Sequence, residues 1–505
     1  MSKHMRTSVV HTGVARIPNF STLRQQAETH WNIRSIQGVF PSLEPLFKLE
    51  NVRVHLMGLP CDIQSIVDAS TILFKGVRTP VWRKTSLILP IYKLMRGNFG
   101  SAGLPLTQDM STEKHERMHS PHNSAYINAL ASVLLSEACP RHFPKVFGTF
   151  TGIASTHRVN ISDDYEDLSE RPWFFKNIGH FFELSLTSLP QVQFAPDESE
   201  VLTIESIPLE PIFTDVQALP DIEEEDPQSE DAASVSEGYI FDIFTNTSDG
   251  SCIGGETEED EFAFAVFKDV PVQTTVQEVC EGVVSSLFIE GIYEQRIAWL
   301  TQLMFALAFA QRTFGFVHND LHSNNVMFVS TPEEYFYYSI SGKTYKVPTF
   351  GKQLKLIDFE RSLFSVKLAG MREPRFFMSD QFGLEDEAAG QYNCEPFYTP
   401  KYMEIKPNPS FDLVRFATSL FWDCFPDGPS QDPFSNILVN WMTLPDGTSV
   451  LFRGKDNFHE RYAGFTLYKV IARFSKGITP RAQIEKLCEA YVVTNAQKDC
   501  MCVEN

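Results

Sequence analysis

Between Lys176 and Lys268 the chain has no Lys or Arg, and 21 of its 64 acidic residues fall between Asp197 and Glu261. A stretch of this kind cannot build a core. Its acid runs, Glu223-Glu224-Glu225-Asp226 and Glu256 to Glu261, are interleaved with Ser, Pro and Gly. Ordering it costs more conformational entropy than its few apolar residues return. Residues 197–261 are therefore expected to be mostly disordered, an insert between foldable parts. The whole chain of 505 residues has a formal charge of −21 with 43 Lys and Arg, and without the insert acids and bases balance. A body with no basic excess argues against nucleic-acid binding by bulk charge, because neutralising phosphates needs a basic surface. At 43% hydrophobic residues that body can bury a large core, as one two-lobed unit or two domains.

The N-terminal residues contain no continuous apolar run of the signal-peptide kind. The most apolar helical run, Trp299 to Val317, is interrupted by Gln302, Gln311 and Arg312 and is too polar to span a bilayer. The expectation is a soluble, intracellular protein with no membrane partner. Nine cysteines, mostly scattered singly through apolar stretches, suit reduced, buried thiols. Cys500 and Cys502 are read as part of a frayed tail.

Residues 1–50 show weak periodicity and read as an extension. From Val52 to Leu94, β-rich runs such as STILF and SLILPIY alternate with turn signals. Gly97 to Gly103 reads as a flexible loop. Ala125, Leu130, Val133, Leu134 and Ala138 form a helical stripe from Asn123 to Ala138, stopped by Pro140. FPKVFGTFTGI, FAFAVF and PVQTTVQEV read as strands, and Ile297 to Phe314 as a long, largely buried helix.

Directly after that helix comes His318-Asn319-Asp320-Leu321-His322-Ser323-Asn324-Asn325. Its His-x-Asp-x-x-x-x-Asn spacing suits phosphoryl transfer. An Asp is placed to accept or orient the proton of an attacking hydroxyl, and an Asn five residues on offers a neutral oxygen to a metal ion. Leu354-Lys355-Leu356-Ile357-Asp358-Phe359 then puts a second Asp at the end of an apolar strand. Ser410-Phe411-Asp412-Leu413 opens an apolar helix, where a buried Asp would tie down the loop backbone. Upstream, Val276-Gln277-Glu278-Val279-Cys280-Glu281-Gly282 has the look of a strand entering an adenine-binding hinge. A different chemistry uses some of the same letters: His318, Asp320 and His322 could hold a transition metal in a hydrolase.

In this order the chain resembles the protein-kinase superfamily, and within it the divergent kinase-like proteins of nucleocytoplasmic large DNA viruses. The resemblance rests on PVQTTVQEVCEG, FGFVHNDLHSNNVMF, YKVPTFGKQLKLIDFERS, QYNCEPF and PNPSFDLVRF, and on VWRKTSLILPIYKL, HNSAYINAL and NISDDYEDL in the first half. It spans roughly residues 78 to 480 without the insert. It implies an α+β, two-lobed fold: an extension (1–50), a small β-rich N-lobe (51–280) holding the acidic insert, a larger mainly helical C-lobe (281–480) and a tail (481–505). It implies ATP and magnesium, or manganese, as cofactors, and a protein substrate phosphorylated on Ser or Thr. Asp320 becomes the catalytic base and Lys84 the phosphate-contacting lysine. Asn325 and Asp358 bind the metal, Glu278 and Cys280 lie at the nucleotide, and His318 and Asp412 support the loop. The location implied is the cytoplasm, a host cell's cytoplasm or a virion.

The pattern also departs from the family. No glycine-rich loop precedes Lys84. Asn128 stands in the helix where the viral relatives tend to have Asp, and Glu137 sits almost at the helix end. Glu360 replaces the Gly of Asp-Phe-Gly, restricting the following segment and offering a third carboxylate near the metals. Asn319 replaces the arginine of phosphorylation-activated kinases. His322, two residues after Asp320, resembles small-molecule phosphotransferases. An inactive kinase fold serving as a nucleotide-binding or scaffold module is the competing reading. The acidic insert would suit a basic partner.

Overall fold

The computed structural model describes residues 20–40, 61–99, 117–118, 120–188, 261–368, 373–453, 460–462, 464–494 and 500–503, with the short strands Val9–Val10 and Met57–Gly58. The protein is mixed α+β. Strand β1 (Trp82–Leu87) carries Lys84 and is followed by helix α1 (Ser124–Ala138) and strands β2 (Val146–Asn160), β3 (Glu183–Ser188) and β4 (Glu261–Gln277). The 17-residue β4 is the axis of the sheet. It runs antiparallel to β2 on one side; on the other, its first half pairs β3 and its second half β1. Thr275 thereby faces Lys84 across one ladder and Thr149 across the other. FAFAVF and PVQTTVQEV are thus one strand. Asp269, with a left-handed φ of 53°, marks the change of partner, and its carboxylate meets Arg34 at 2.6 Å.

This sheet also shows where the acidic stretch attaches. Ser188 lies opposite Glu261, so the chain leaves and re-enters at neighbouring positions on adjacent strands. Glu261 belongs to β4, which corrects the insert boundary by one residue. Residues 189–260, and with them the expected disorder and basic partner, lie outside the described residues, as do Gly100 to Gly103 of the expected loop.

The expected extension is in part structural. Helix Phe20–Trp31 buries Leu23, Ala27 and Trp31, one stripe at helical spacing, and strand Ile33–Gln37 pairs with β2. Arg83 of β1 stacks over the Trp31 ring at 5.2 Å. Helix α1 begins where its stripe predicts. The Asn123 side chain accepts from the Ala125 N–H at 3.1 Å and donates to the Ile88 carbonyl at 2.6 Å, so a cap bond also ties the helix to the chain after β1.

The second half is built on helix α2 (Tyr293–Phe314), apolar almost all round and buried. Gly315, left-handed at φ 61°, closes it. Strands β5 (Val326–Ser330) and β6 (Lys352–Leu356) pair antiparallel and flank the site. Helices α3 (Phe411–Cys424) and α4 (Phe465–Phe474) follow. This half holds more sheet than a mainly helical lobe would. Tyr335–Ile340 and Lys343–Pro348 form a hairpin of alternating burial that turns on Ser341-Gly342, both at positive φ, the conformation a two-residue hairpin turn needs. The expected tail is not free either. Helix Pro480–Leu487 packs on α2, and the Trp441 ring N–H donates to Gln483 at 2.9 Å. Val492–Val493 and Met501–Cys502 extend the hairpin at both edges, so Cys502 is strand rather than frayed end. Among the described residues no helix is long and apolar enough to cross a membrane.

Candidate active site

The segment after α2 is held by its backbone. Asp412, fully buried in the first turn of α3, accepts from the His318 and Asn319 N–H groups, each at 3.0 Å. Burial raises the Asp412 pKa, and His318 with the two N–H donors pulls it back. His318 places both ring nitrogens on backbone: Nδ1 accepts from the Asp320 N–H at 3.3 Å and Nε2 donates to the Ile357 carbonyl at 2.8 Å. It has no nitrogen left for a metal, which removes the hydrolase alternative's first ligand. Asn319, left-handed at φ 65°, donates to the Arg361 carbonyl at 3.1 Å and accepts the Tyr392 hydroxyl at 2.7 Å. Where an arginine would latch a phosphate, a neutral amide joins the loop to the segment beyond Asp358.

Lys84 reaches this loop from the sheet. Its Nζ lies 2.5 Å from Asp358 Oδ2 and 3.1 Å from Glu360 Oε1. Burial works against the ammonium, but Asp358 and Glu360 outweigh it and hold the Lys84 pKa above the usual lysine value. Burial likewise disfavours the Asp358 carboxylate, and Lys84 brings its pKa below the ordinary aspartate value. Asp358 is itself left-handed at φ 64°, a rare backbone for a non-glycine residue and one that recurs at functional sites. Glu360 also accepts the Ser86 hydroxyl at 2.6 Å. Asn128 is placed elsewhere: its Oδ1 accepts the Phe359 N–H at 2.8 Å, bracing the segment between the two carboxylates.

Asp320 is surrounded by groups that no local motif announces. The Tyr468 hydroxyl, from α4, donates to its Oδ1 at 2.8 Å, and Arg361 Nη1 stands 3.7 Å away. Arg361 is held by Gln381 at 2.8 Å and Glu387 at 3.2 Å. Burial pushes the Asp320 pKa up, yet Arg361, His322, Arg415 and the Tyr468 hydroxyl bring it down to about 2. His322 behaves oppositely: burial outweighs the attraction of Asp320 and pushes it down to about 4. At neutral pH this position carries no charge, so the positive charge near Asp320 and Asp358 comes from Lys84, Arg361 and Arg415.

Asn325 donates through Nδ2 to the Asp320 carbonyl at 2.9 Å, and its own carbonyl accepts the Ile357 N–H at 3.0 Å. Its Oδ1 accepts no hydrogen bond among the described residues. A pinned amide with an open oxygen, beside a carboxylate, is a hard-oxygen donor pair suited to magnesium or manganese. No group of three or more His, Cys, Asp or Glu among the described residues is arranged to hold a metal. At the expected hinge, the Glu278 carboxylate accepts the Lys145 N–H and pairs with Lys355 Nζ, both at 3.0 Å. That side chain is a brace, and the Glu278 backbone N–H is engaged as well, donating to the Lys145 carbonyl at 2.8 Å. Burial pushes the adjacent Cys280 thiol up to about 11, so it is protonated and unreactive at neutral pH.

No family model matches the chain. Local similarities do exist. Over 63 residues, 12% of this chain, it is 38% identical to the serine/threonine-protein kinase haspin of Mus musculus and 36% identical to that of Bos taurus, covering 8% of each. Over 70 residues, 14% of this chain, it is 36% identical to a Caenorhabditis elegans protein described as uncharacterized, covering 24% of it. The chain thus spans a quarter or less of these relatives. The haspin matches point to a protein-kinase-like relationship; none of the three relatives is viral.

Proposed function

We propose that the chain is an ATP- and magnesium-dependent phosphotransferase of the protein-kinase type, acting on Ser or Thr hydroxyls of a protein substrate. In this reading the β4-centred sheet is the N-lobe and the α2-centred half the C-lobe. The finer likeness to viral kinase-like proteins rests on the sequence stretches alone. The observation that carries the reading is the meeting of Lys84, from the sheet, with Asp358, beside a loop in which Asn325 is bonded to Asp320. Bound magnesium would neutralise phosphate charge, and Asp358 and Asn325 are the residues to hold it. Asp320, ionised far below neutral pH, orients the acceptor hydroxyl and takes its proton. Tyr468 fixes one oxygen of Asp320 and leaves the other for the acceptor. Lys84 and Arg361 supply positive charge to phosphate.

Radiolabelled ATP with magnesium and a mixed peptide or cell-extract acceptor tests this, beside Asp320→Ala. Transfer well above the variant is expected. Equal label in both, with a nucleotide-dependent thermal shift, would instead establish the binding-module reading. One observation favours that alternative. Of the two hairpins before Lys84, the nearer, Thr71–Phe74 with Val77–Pro80, turns on only Lys75-Gly76, and the farther, Ser65–Ile66 with Thr71–Phe74, turns through Val67-Asp68-Ala69-Ser70 with no glycine. There the Asp68 carboxylate already takes the Ser70 N–H at 2.9 Å, a donor that a phosphate-covering loop would offer its ligand.

A further inference from the structure

A phosphate-contacting lysine needs a carboxylate that stays with it once Asp358 is engaged by a metal. In protein kinases a glutamate from the helix beside the lysine strand does this. Here that helix offers none. The only acid of α1 is Glu137, in its last turn and exposed. Asn128 is neutral, and its oxygen is already bonded to the Phe359 N–H. Glu360 is differently placed. It approaches Lys84 Nζ at 3.1 Å and accepts the Ser86 hydroxyl at 2.6 Å. Ser86 lies two residues from Lys84 along β1, hence on the same face of the strand. Lysine, serine and glutamate therefore converge with no carboxylate from the helix, which acts only through Asn128 on the backbone at Phe359.

We propose that Glu360 is the positioning carboxylate of Lys84, the role having passed from helix α1 to the second residue after Asp358. The proposal rests on the phosphotransferase reading for its consequence in catalysis, but not for the pairing itself. It assigns Glu360 to the lysine and not to the metals. It also means that the lysine's partner and the metal-binding carboxylate are joined by two peptide bonds. Rotation of α1 then has no direct hold on Lys84, and the site is set by the Asp358–Glu360 backbone, which Asn128 braces through Phe359.

Lys84 and Glu360 both line a cavity of about 300 Å³, so a small amine-directed reagent can reach them. The test compares wild type with Glu360→Gln, Glu360→Asp and Ser86→Ala, checking folding by thermal midpoint. Lys84 modification is followed against pH by mass spectrometry, with ATP KM, kcat and the magnesium half-saturation alongside. In Glu360→Gln the Lys84 labelling profile should move to lower pH by about one unit, roughly tenfold faster labelling below the lysine pKa. ATP KM should rise by about tenfold with magnesium half-saturation unchanged, and Glu360→Asp should recover part of both. An unchanged Lys84 profile in Glu360→Gln would overturn the proposal. So would a shifted magnesium half-saturation with an unchanged Lys84 profile, since Glu360 would then serve the metal. If wild type neither binds nucleotide nor transfers phosphate, the functional reading falls, while the labelling profile still decides the pairing.

Discussion

The two sides of the candidate site are held by different forces. On the α2 side, the His318–Asn325 loop is fixed by backbone N–H groups on the buried Asp412 and by His318 between two backbone groups. On the sheet side, Lys84, Asp358 and Glu360 are held by charge, with side chains 24% to 34% exposed. Buried backbone bonds are indifferent to salt and ligands, whereas partly exposed charge pairs are screened and can exchange partners. The loop is thus a fixed frame, and the Lys84 corner is the part whose contacts can exchange.

The comparison can be broken at either side. Asp320→Asn should lower phosphoryl transfer by about 10²–10⁴-fold, the range for removing a general base; label incorporation measures it. Asp412→Ala leaves two buried N–H groups without their acceptor, at about 1–3 kcal/mol each. It should destabilise the fold by about 2–6 kcal/mol in denaturant titration. If it is neutral, the loop is not held as described.

Acid acts on the frame as well. Burial pushes His122 and His322 down to about 4 and His142 down to about 3. Between the ordinary histidine pKa and those values the unfolded chain binds protons that the folded one refuses. Stability should therefore be complete above about pH 6.5 and fall as pH drops towards 4, by up to about 1.4 kcal/mol per pH unit for each histidine. Denaturation midpoints across that range check the slope.

Smaller effects sharpen the picture. Tyr468→Phe removes a donor that favours the charged Asp320, so the acid limb of the pH–activity profile should move up by less than about one unit, with about 0.5–1.5 kcal/mol lost in stability. Replacing residues 197–260 by a short turn should leave the melting midpoint unchanged or raised. Ser188 and Glu261 are already neighbours, and shortening a loop recovers only about 0.6 kcal/mol per halving. A large drop would show that the acidic stretch supports the body.

What could be read from sequence divides along the same line. The loop spacing, the stripe of α1, the apolar run of α2 and the Asp at the start of α3 are local patterns, and each names its own geometry. The Lys84 corner is not local. Glu360 was legible as a departure from a glycine, and as a carboxylate near the metals, but not as the partner of Lys84, because only the packing of β1 against the segment after β6 brings the two together. Tyr468 and Arg361 carried no signal, since a tyrosine in an amphipathic helix and an arginine after Asp-Phe-Glu are ordinary until α4 packs over the loop. The N-terminal helix had a detectable stripe in Leu23, Ala27 and Trp31. The C-terminal strands are two residues each and take their order from the hairpin they join, so no pattern within them could announce it.

The central claim is that Lys84, Asp358 and Asn325 form a metal-assisted nucleotide site. Calorimetric titration with a non-hydrolysable ATP analogue, with and without magnesium, against wild type and Asp358→Asn tests it most directly. The account predicts saturable one-to-one binding that magnesium strengthens in wild type, and loss of the magnesium-dependent part in the variant. No binding to wild type, or the same magnesium dependence in Asp358→Asn, would contradict it.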